Sequence, residues 1–181
     1  MNVKGRTIFL ADATVNVYPD SRTLAEIAVQ TAKVARRFGV APRVAMLSFS
    51  NFGSSRAQRS ERIEDAIQFA RELDPSLVID GPMQADTALN SAVQKEYPFM
   101  DFKGPANVLV LPNLAAANIA YKLLEELGDA EMTGPILEGM DKPVQLVARQ
   151  DGVRHIVNMA AICAADAIRQ DSFWETLVTP S

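Results

Sequence analysis

Cysteine, histidine and long apolar runs are scarce in this 181-residue sequence. The single cysteine, Cys163, lies in the apolar run 159–165, which excludes a disulfide framework and a cysteine-based metal site and is typical of a cytoplasmic protein. No apolar stretch reaches the roughly 18 to 20 residues of a membrane-spanning helix. The N-terminus also lacks the basic-then-apolar pattern of a signal peptide. We therefore expect a soluble, cytoplasmic protein with no membrane association.

An excess of charge of one sign is also lacking. The chain has 18 Lys plus Arg against 22 Asp plus Glu, and neither sign forms a long run. This balance gives no electrostatic signal for binding nucleic acid or an anionic membrane. We find no glycine fingerprint for a dinucleotide and no cluster of metal-binding carboxylates. The sequence therefore predicts small-molecule or protein partners, with no metal site and no cofactor in this chain.

Short apolar runs alternate with helical patterns along the chain. Strands are predicted at residues 7–11, 44–48, 77–80 and 108–111, and helices at 23–39, 60–73, 86–94, 114–127 and 152–170. Thr23 and Glu26 have the spacing of a capping box and predict the start of the first helix. Strands alternating with helices imply parallel pairing, and strands buried on both faces are continuously apolar. We predict one twisted, mostly parallel sheet with helices on both faces.

Polar residues follow the predicted strands. Ser50, Asn51, Gly53 and Ser54 follow the second strand, and Asn113 follows the fourth. Ligands of open parallel sheets bind beyond the carboxyl ends of the strands, where small side chains and a glycine before a helix suit a phosphate group. Serine, asparagine and glycine are also ordinary turn formers, so spacing alone leaves both interpretations open.

Two residues near the last helix are further candidates. The lone histidine, His155, precedes an apolar helix and has no nucleophile paired with it, which favours a structural or surface role over a catalytic one. Arg149 lies in the loop before that helix and is able to form a bidentate contact with phosphate, although a solvent-facing arginine is more common.

Five collinear segments resemble phosphate acetyltransferases. They are residues 48–54, 80–86, 107–122, 134–144 and 156–161, and Asp12 followed by Asn16 also matches. The resemblance implies an α/β fold of three layers, αβα, with a mostly parallel sheet like that of isocitrate and isopropylmalate dehydrogenases. That family has two lobes, with acetyl-CoA and acetyl phosphate meeting in the cleft between them. Residues 1–181 resemble the second lobe plus the closing C-terminal helix, so we expect the first lobe to be absent.

The departures from this family fall on its catalytic groups. Active members carry a Ser-Arg-Gly segment with an aspartate seven residues beyond the serine. The corresponding residues here are Ala148, Arg149, Gln150 and His155, and a further active-site arginine corresponds to Glu126. General acid–base groups each contribute about 10²- to 10⁴-fold to a rate. The resemblance therefore implies that the chain has no catalytic residues for acyl transfer.

Retained loops with lost catalytic groups are similar to the C-terminal region of large bacterial NADP-dependent malic enzymes. Asn113, where the transferases usually have aspartate, points the same way. This resemblance implies a parent that oxidises malate to pyruvate and CO₂, with NADP and a Mg or Mn ion held by upstream malic enzyme domains.

The role implied for this chain is a regulatory lobe that senses acetyl-CoA or another CoA thioester and supports oligomerisation. We expect a homo-oligomer that associates through the C-terminal helix and the Phe173–Trp174 end, although such aromatics can also merely close the core. One alternative is an active phosphate acetyltransferase in which His155 acts as the base. The other is a purely structural oligomerisation domain.

Overall fold

The computed structural model describes residues 1–54 and 58–178, and the side chains of residues 1–54 and 61–169. The chain divides into two compact units, Met1–Glu131 and Met132–Ser181. The first unit carries all the strands found in the described residues, and the long last helix belongs to the second.

A parallel sheet of four strands forms the centre of the first unit. Its strands are β3 (Phe9–Ala11), β4 (Val44–Leu47), β5 (Ile79–Met83) and β6 (Val108–Val110), in the order β3-β6-β4-β5. Two further strands, β1 (Asn2–Val3) and β2 (Arg6–Thr7), form an antiparallel hairpin outside this sheet. The helices are α1 (Ser21–Arg37), α2 (Gln58–Leu73), α3 (Ala85–Leu89), α4 (Ser91–Gln94), α5 (Leu114–Leu127) and α6 (Val153–Val178).

Both faces of the sheet are covered. Successive strand residues point to opposite faces, so the strands supply two separate apolar clusters. One cluster joins α1 and α2 to the sheet and includes Leu24, Ala28, Val44, Met46, Ile63, Ala66, Val108 and Val110. The other cluster joins α3 and α5 to the sheet and includes Ala45, Leu47, Ala88, Met100, Phe102, Leu109 and Ala117. The predicted αβα layering around a parallel sheet is confirmed.

Helix α1 begins earlier than its sequence pattern indicated. Asp20 is the N-cap, and its side chain accepts a hydrogen bond from the Thr23 backbone N–H at 2.8 Å. The capping box predicted from Thr23 and Glu26 is therefore wrong, because the carboxylate three residues earlier satisfies that N–H group. The helix ends at Arg37, and Gly39 follows it at a φ of +74°.

The third strand along the chain begins two residues later than predicted and ends three residues later. It spans Ile79–Met83 and so includes Gly81 and Pro82, a pair that usually marks a turn. Proline is tolerated here because β5 is an edge strand. Gly81 passes so close to β4 that an added Cβ would lie 2.6 Å from the Met46 carbonyl oxygen. This close approach coincides with a register shift between β4 and β5.

Two other predicted helices differ from the structure. The helix expected over 86–94 is divided into α3 and α4 at Asn90, whose side chain accepts from the Ala92 N–H at 2.9 Å and begins the second helix. The helix expected over 152–170 continues to Val178. The side chains of Phe173 and Trp174 lie outside the described residues, so their predicted role in self-association stays a prediction.

The second unit consists of irregular chain followed by α6. Among the described side chains of this unit, Met159 is fully buried, and the Cys163 Sγ lies 3.4 Å from the Pro143 carbonyl oxygen. Within the described part of the chain, no helix combines the length and apolar character needed to span a membrane.

Candidate functional site

The loop that follows β4 is tied by its backbone to β5. The Ser48 N–H donates to the Met83 carbonyl at 2.8 Å, and the Phe52 N–H donates to the Pro82 carbonyl at 2.7 Å. Gly53 adopts a φ of +72°, a conformation that glycine reaches without strain. The predicted polar loop is therefore a defined turn at the carboxyl edge of the sheet.

Asn51 uses both ends of its side-chain amide to hold this loop. Its Oδ1 accepts from the Gln84 backbone N–H at 2.7 Å, and its Nδ2 donates to Gln84 Oε1 and to the Tyr97 hydroxyl, each at 3.1 Å. Gln84 Nε2 in turn donates to the Phe49 carbonyl at 2.9 Å. Asn51 therefore positions the loop, and its predicted contact with a ligand stays a prediction.

The serines of the loop have different surroundings. Ser50 is only 7% exposed, and its Oγ has no hydrogen-bond partner among the described residues. Ser54 and Gly53 are exposed. Ser50 thus has a buried hydroxyl that is free of hydrogen bonds to the described residues, in the same loop as two exposed residues.

Asn113 lies at the same edge of the sheet, after β6. Its Oδ1 accepts from the Ala116 N–H at 2.9 Å and so caps α5. The same edge is crossed by Arg62 of α2, which donates to the Pro19 carbonyl and to the Pro112 carbonyl, both at 2.8 Å. Arg62 therefore connects the loops after β3 and β6. The helical pattern of the sequence identified its inward-facing neighbour Ile63 but gave no sign of this role for Arg62.

Asp12 organises the loop that follows β3. Its carboxylate accepts from the backbone N–H groups of Thr14, Val15 and Asn16 at 2.8 to 3.0 Å, and from Asn16 Nδ2 at 2.8 Å. Burial acts to raise the pKa of Asp12, but these hydrogen bonds to the charged form outweigh burial and lower its pKa below the ordinary value. Asp12 is thus charged and fully engaged in loop structure.

Three aromatic rings gather beside the Ser48–Ser54 loop. The ring centroids of Phe52 and Tyr97 lie 5.2 Å apart, those of Phe52 and Phe99 4.9 Å, and those of Tyr97 and Phe99 6.1 Å. We call Phe52, Tyr97 and Phe99 the aromatic triad. Its members come from two different loops, so sequence spacing gave no signal that they meet.

The loop that carries Tyr97 and Phe99 is anchored at its far end by Asp80. The buried Asp80 carboxylate accepts from the Asp101 N–H and the Gly81 N–H, both at 2.8 Å. Burial is the largest influence on Asp80 and raises its pKa above the ordinary value. Arg71 pairs with the Asp101 carboxylate and donates to the Ile79 carbonyl at 3.0 Å. These contacts hold the loop against the sheet.

The positions expected to be catalytic in a transferase lie in the second unit, apart from Glu126. Ala148 is exposed, and its N–H donates to Asp151 Oδ2 at 2.6 Å. His155 Nε2 lies 3.5 Å from the same oxygen and makes no hydrogen bond within the described residues. Arg149 is exposed in the turn between them. The structure gives this turn no hydroxyl and no carboxylate at the two expected positions.

Glu126 is exposed on α5. Its neighbour Glu125 forms an ion pair with Lys122 at 2.9 Å, and that contact is the first cause of a raised Lys122 pKa. Among the described residues, no group of three or more His, Cys, Asp and Glu side chains is placed to hold a metal ion.

The structure therefore brings some of the predicted site residues together. Ser50, Asn51, Gly53 and Ser54 share one loop, and Asn113 lies at the same edge of the sheet. Arg149 belongs to the second unit and remains a separate candidate. The sequence-based list missed Arg62, Gln84 and Tyr97, which position the loops.

Comparisons with known proteins agree on one family. Residues 1–164 match the phosphate acetyl/butaryl transferase family. A phosphate acetyltransferase from Bacillus subtilis (strain 168) is 44% identical over 159 residues, which cover 87% of this chain and 49% of that protein. An NADP-dependent malic enzyme from Rhizobium meliloti (strain 1021) is 43% identical over 164 residues, which cover 91% of this chain and 22% of that protein.

A solved structure shares the fold as well. A phosphotransacetylase from Streptococcus pyogenes matches with a TM-score of 0.83 at 39% identity, over 88% of this chain and 49% of that one. The chain thus spans about half the length of the transferases and a smaller share of the malic enzyme. The resemblance to both kinds of protein is confirmed.

Proposed function

This chain belongs to the phosphate acetyl/butaryl transferase family, and we propose that it is a regulatory lobe of an NADP-dependent malic enzyme that performs no acyl transfer itself. In this proposal the lobe binds acetyl-CoA or a related CoA thioester and shifts the parent between more and less active states. The parent oxidises malate to pyruvate and CO₂. NADP and a Mg or Mn ion are bound by upstream malic enzyme domains, and we assign no residue of this chain to binding either of them.

The pair Ala148 and His155 is the observation that carries the proposal. A methyl group neither donates nor accepts a proton, so Ala148 offers no hydroxyl to a thiol leaving group. The Ala148 backbone N–H is already bonded to Asp151, which closes the turn. Where the two groups of a catalytic pair act independently, the loss of each lowers the rate about 10²- to 10⁴-fold.

The loop at the sheet edge supports a retained binding role. Its shape rests on Asn51, Gln84 and backbone bonds to β5, all within the first unit. The buried Ser50 hydroxyl and the exposed Gly53 lie where parallel sheets bind ligands. None of these contacts depends on the substituted positions, so the loop keeps its form without the catalytic pair.

The full-length parent enzyme tests regulation directly. Acetyl-CoA should change the malate dependence of turnover, with a coupling of about 5- to 150-fold in affinity. Gly53→Ala should weaken that response because it places a Cβ at a φ of +72° inside the loop. Gly39→Ala is the matched control, since Gly39 has a φ of +74° after α1 with no atom within 4 Å of an added Cβ. An enzyme that ignores acetyl-CoA altogether would overturn the proposal.

A divergent phosphate acetyltransferase is the second candidate, and Asp151 is the observation that favours it. An imidazole beside a carboxylate, here 3.5 Å apart, is an arrangement that orients a general base. Such an enzyme would transfer the acetyl group of acetyl-CoA to phosphate and release CoA. Acetyl phosphate formation that is abolished by His155→Ala would establish this candidate in place of the regulatory lobe.

We also propose that the parent is a cytoplasmic homo-oligomer and that this lobe contributes to its assembly. Helix α5 exposes Ile119, Leu123 and Leu127, which are spaced four residues apart and so form one stripe. A parent truncated before this lobe should assemble with fewer subunits, as measured by dividing its light-scattering mass by the mass of the truncated chain. If it also keeps its full response to acetyl-CoA, the lobe is a scaffold and not a sensor.

A further inference from the structure

One ring of the aromatic triad is exposed, while the other two, Phe52 and Tyr97, are half-buried and pack against the core. Phe99 is 64% exposed, although it contacts both other rings. Phe49, which precedes Ser50 in the polar loop, is also exposed. Single exposed aromatics are ordinary on a protein surface, whereas an exposed ring that is fixed against two half-buried rings beside a polar loop offers a rigid surface on which a flat ligand can stack.

The triad is held in a defined position. The Tyr97 hydroxyl accepts a hydrogen bond from Asn51, which joins the rings to the Ser48–Ser54 loop. At its other end the loop bearing Phe99 is fastened by the bond from the Asp101 N–H to Asp80. A ring surface fixed at both ends loses little conformational entropy when a ligand stacks on it.

The charge next to the triad suits an anionic ligand. The Lys103 ammonium donates to the Pro98 carbonyl at 2.9 Å, which places a cation at the backbone of the residue before Phe99. The nearby Asp101 carboxylate is paired with Arg71. A planar ring with phosphates attached therefore finds an aromatic surface, a cation and the Ser48–Ser54 loop on the same side of the first unit.

We propose that the aromatic triad stacks the purine ring of the CoA thioester, with Lys103 contacting a phosphate of the same ligand. This inference rests on the proposed function, and it specifies which part of the ligand the first unit recognises. Base–aromatic stacking needs a ring and not merely an apolar side chain, which makes the proposal testable at Phe99 alone.

The test titrates adenosine 3′,5′-bisphosphate and acetyl-CoA into the full-length protein by calorimetry. Phe99→Leu keeps an apolar side chain but removes the ring. It should weaken the binding of both ligands about 5- to 150-fold, the range of affinity that stacking supplies. Phe99→Trp should bind both as tightly as the unaltered protein. Phe38→Ala is the control, because Phe38 is 48% exposed and packs on Phe9 at the end of α1, away from the polar loop.

The outcomes separate the two proposals. If acetyl-CoA binds and Phe99→Leu binds it equally well, the stacking proposal is overturned, while the regulatory function is decided separately by the effect of acetyl-CoA on malate turnover. If acetyl-CoA does not bind the unaltered protein, the regulatory function fails. The stacking proposal then fails with it, because it concerns the purine ring of that same ligand.

Discussion

Gly81 is the point at which the backbone of β5 leaves no room for a side chain. In Gly81→Ala, the added methyl would lie 2.6 Å from the Met46 carbonyl oxygen and 3.1 Å from Met46 Cβ. The obstacle is backbone of a central strand, so it cannot rotate away as a flexible side chain would. The φ of +141° at Gly81 is also strained for any residue with a Cβ.

The expected cost combines these two effects. A non-glycine residue in a sparsely populated conformation costs about 1–3 kcal/mol, and forcing an extra group into a packed interior typically costs about 1–3 kcal/mol more. We expect Gly81→Ala to destabilise the protein by about 3 kcal/mol or more. The loop after β4 should also loosen, because it is bonded to the Pro82 and Met83 carbonyls.

Gly104→Ala separates strain from steric overlap. Gly104 has a φ of +81°, but nothing lies within 4 Å of an added Cβ. Gly104→Ala should therefore lower the free energy of unfolding only by the cost of a left-handed backbone conformation, about 1–2 kcal/mol. Urea unfolding of both variants measures the difference in their free energies of unfolding, provided that the dependence on denaturant has the same slope in both. Equal losses in the two variants would show that β4 moves aside at little cost, which refutes the argument.

Two further substitutions test the loops at the same edge of the sheet. Asp12→Asn should destabilise by about 1–3 kcal/mol at neutral pH, because one oxygen cannot accept all the bonds made by two. Since the folded pKa of Asp12 is lowered, its contribution is complete above the unfolded value of about 3.9 and is lost as the pH falls through the folded pKa. Stability measured against pH should therefore fall less steeply below about pH 4 in the variant, and an unchanged slope would contradict this. Arg62→Met should cost about 2 kcal/mol or more in urea unfolding by leaving two loop carbonyls unpaired. Arg62→Lys should recover only part of the lost stability, since a single ammonium does not reach both carbonyls. Full recovery would show that the simultaneous contact of Arg62 with the two carbonyls is not what stabilises the loops.

The strands and helices that follow from local pattern were predicted closely. β4 and β6 lie within one residue of their predicted ends, because strands covered on both faces are continuously apolar. α5 has its predicted bounds, since Asn113 caps its start and Gly128 follows its end. The strand predicted over 77–80 stops before Gly81-Pro82, a pair that usually marks a turn, and only the close approach of the neighbouring strand shows why the pair lies in β5.

The site was less predictable because its contacts join distant parts of the chain. Gln84 and Tyr97 meet Asn51 across 33 and 46 positions of sequence. Arg62 reaches carbonyls 43 and 50 positions away. Backbone carbonyls carry no signal in residue type, so no pattern identifies a side chain that binds them. The polar loop itself was found because a parallel sheet places ligands at the ends of its strands.

The contacts that shape the Ser48–Ser54 loop are separate in the chain from the substituted positions of the second unit. The contacts that shape the Ser48–Ser54 loop all lie in Met1–Glu131, whereas Ala148 and His155 lie beyond it. A substitution in the second unit therefore leaves every hydrogen bond of that loop in place. Glu126 on α5 is an exposed first-unit position and takes no part in those bonds. We infer that a transferase lobe with this architecture can lose proton transfer and keep a formed loop, which is the physical condition that a change from catalyst to sensor requires.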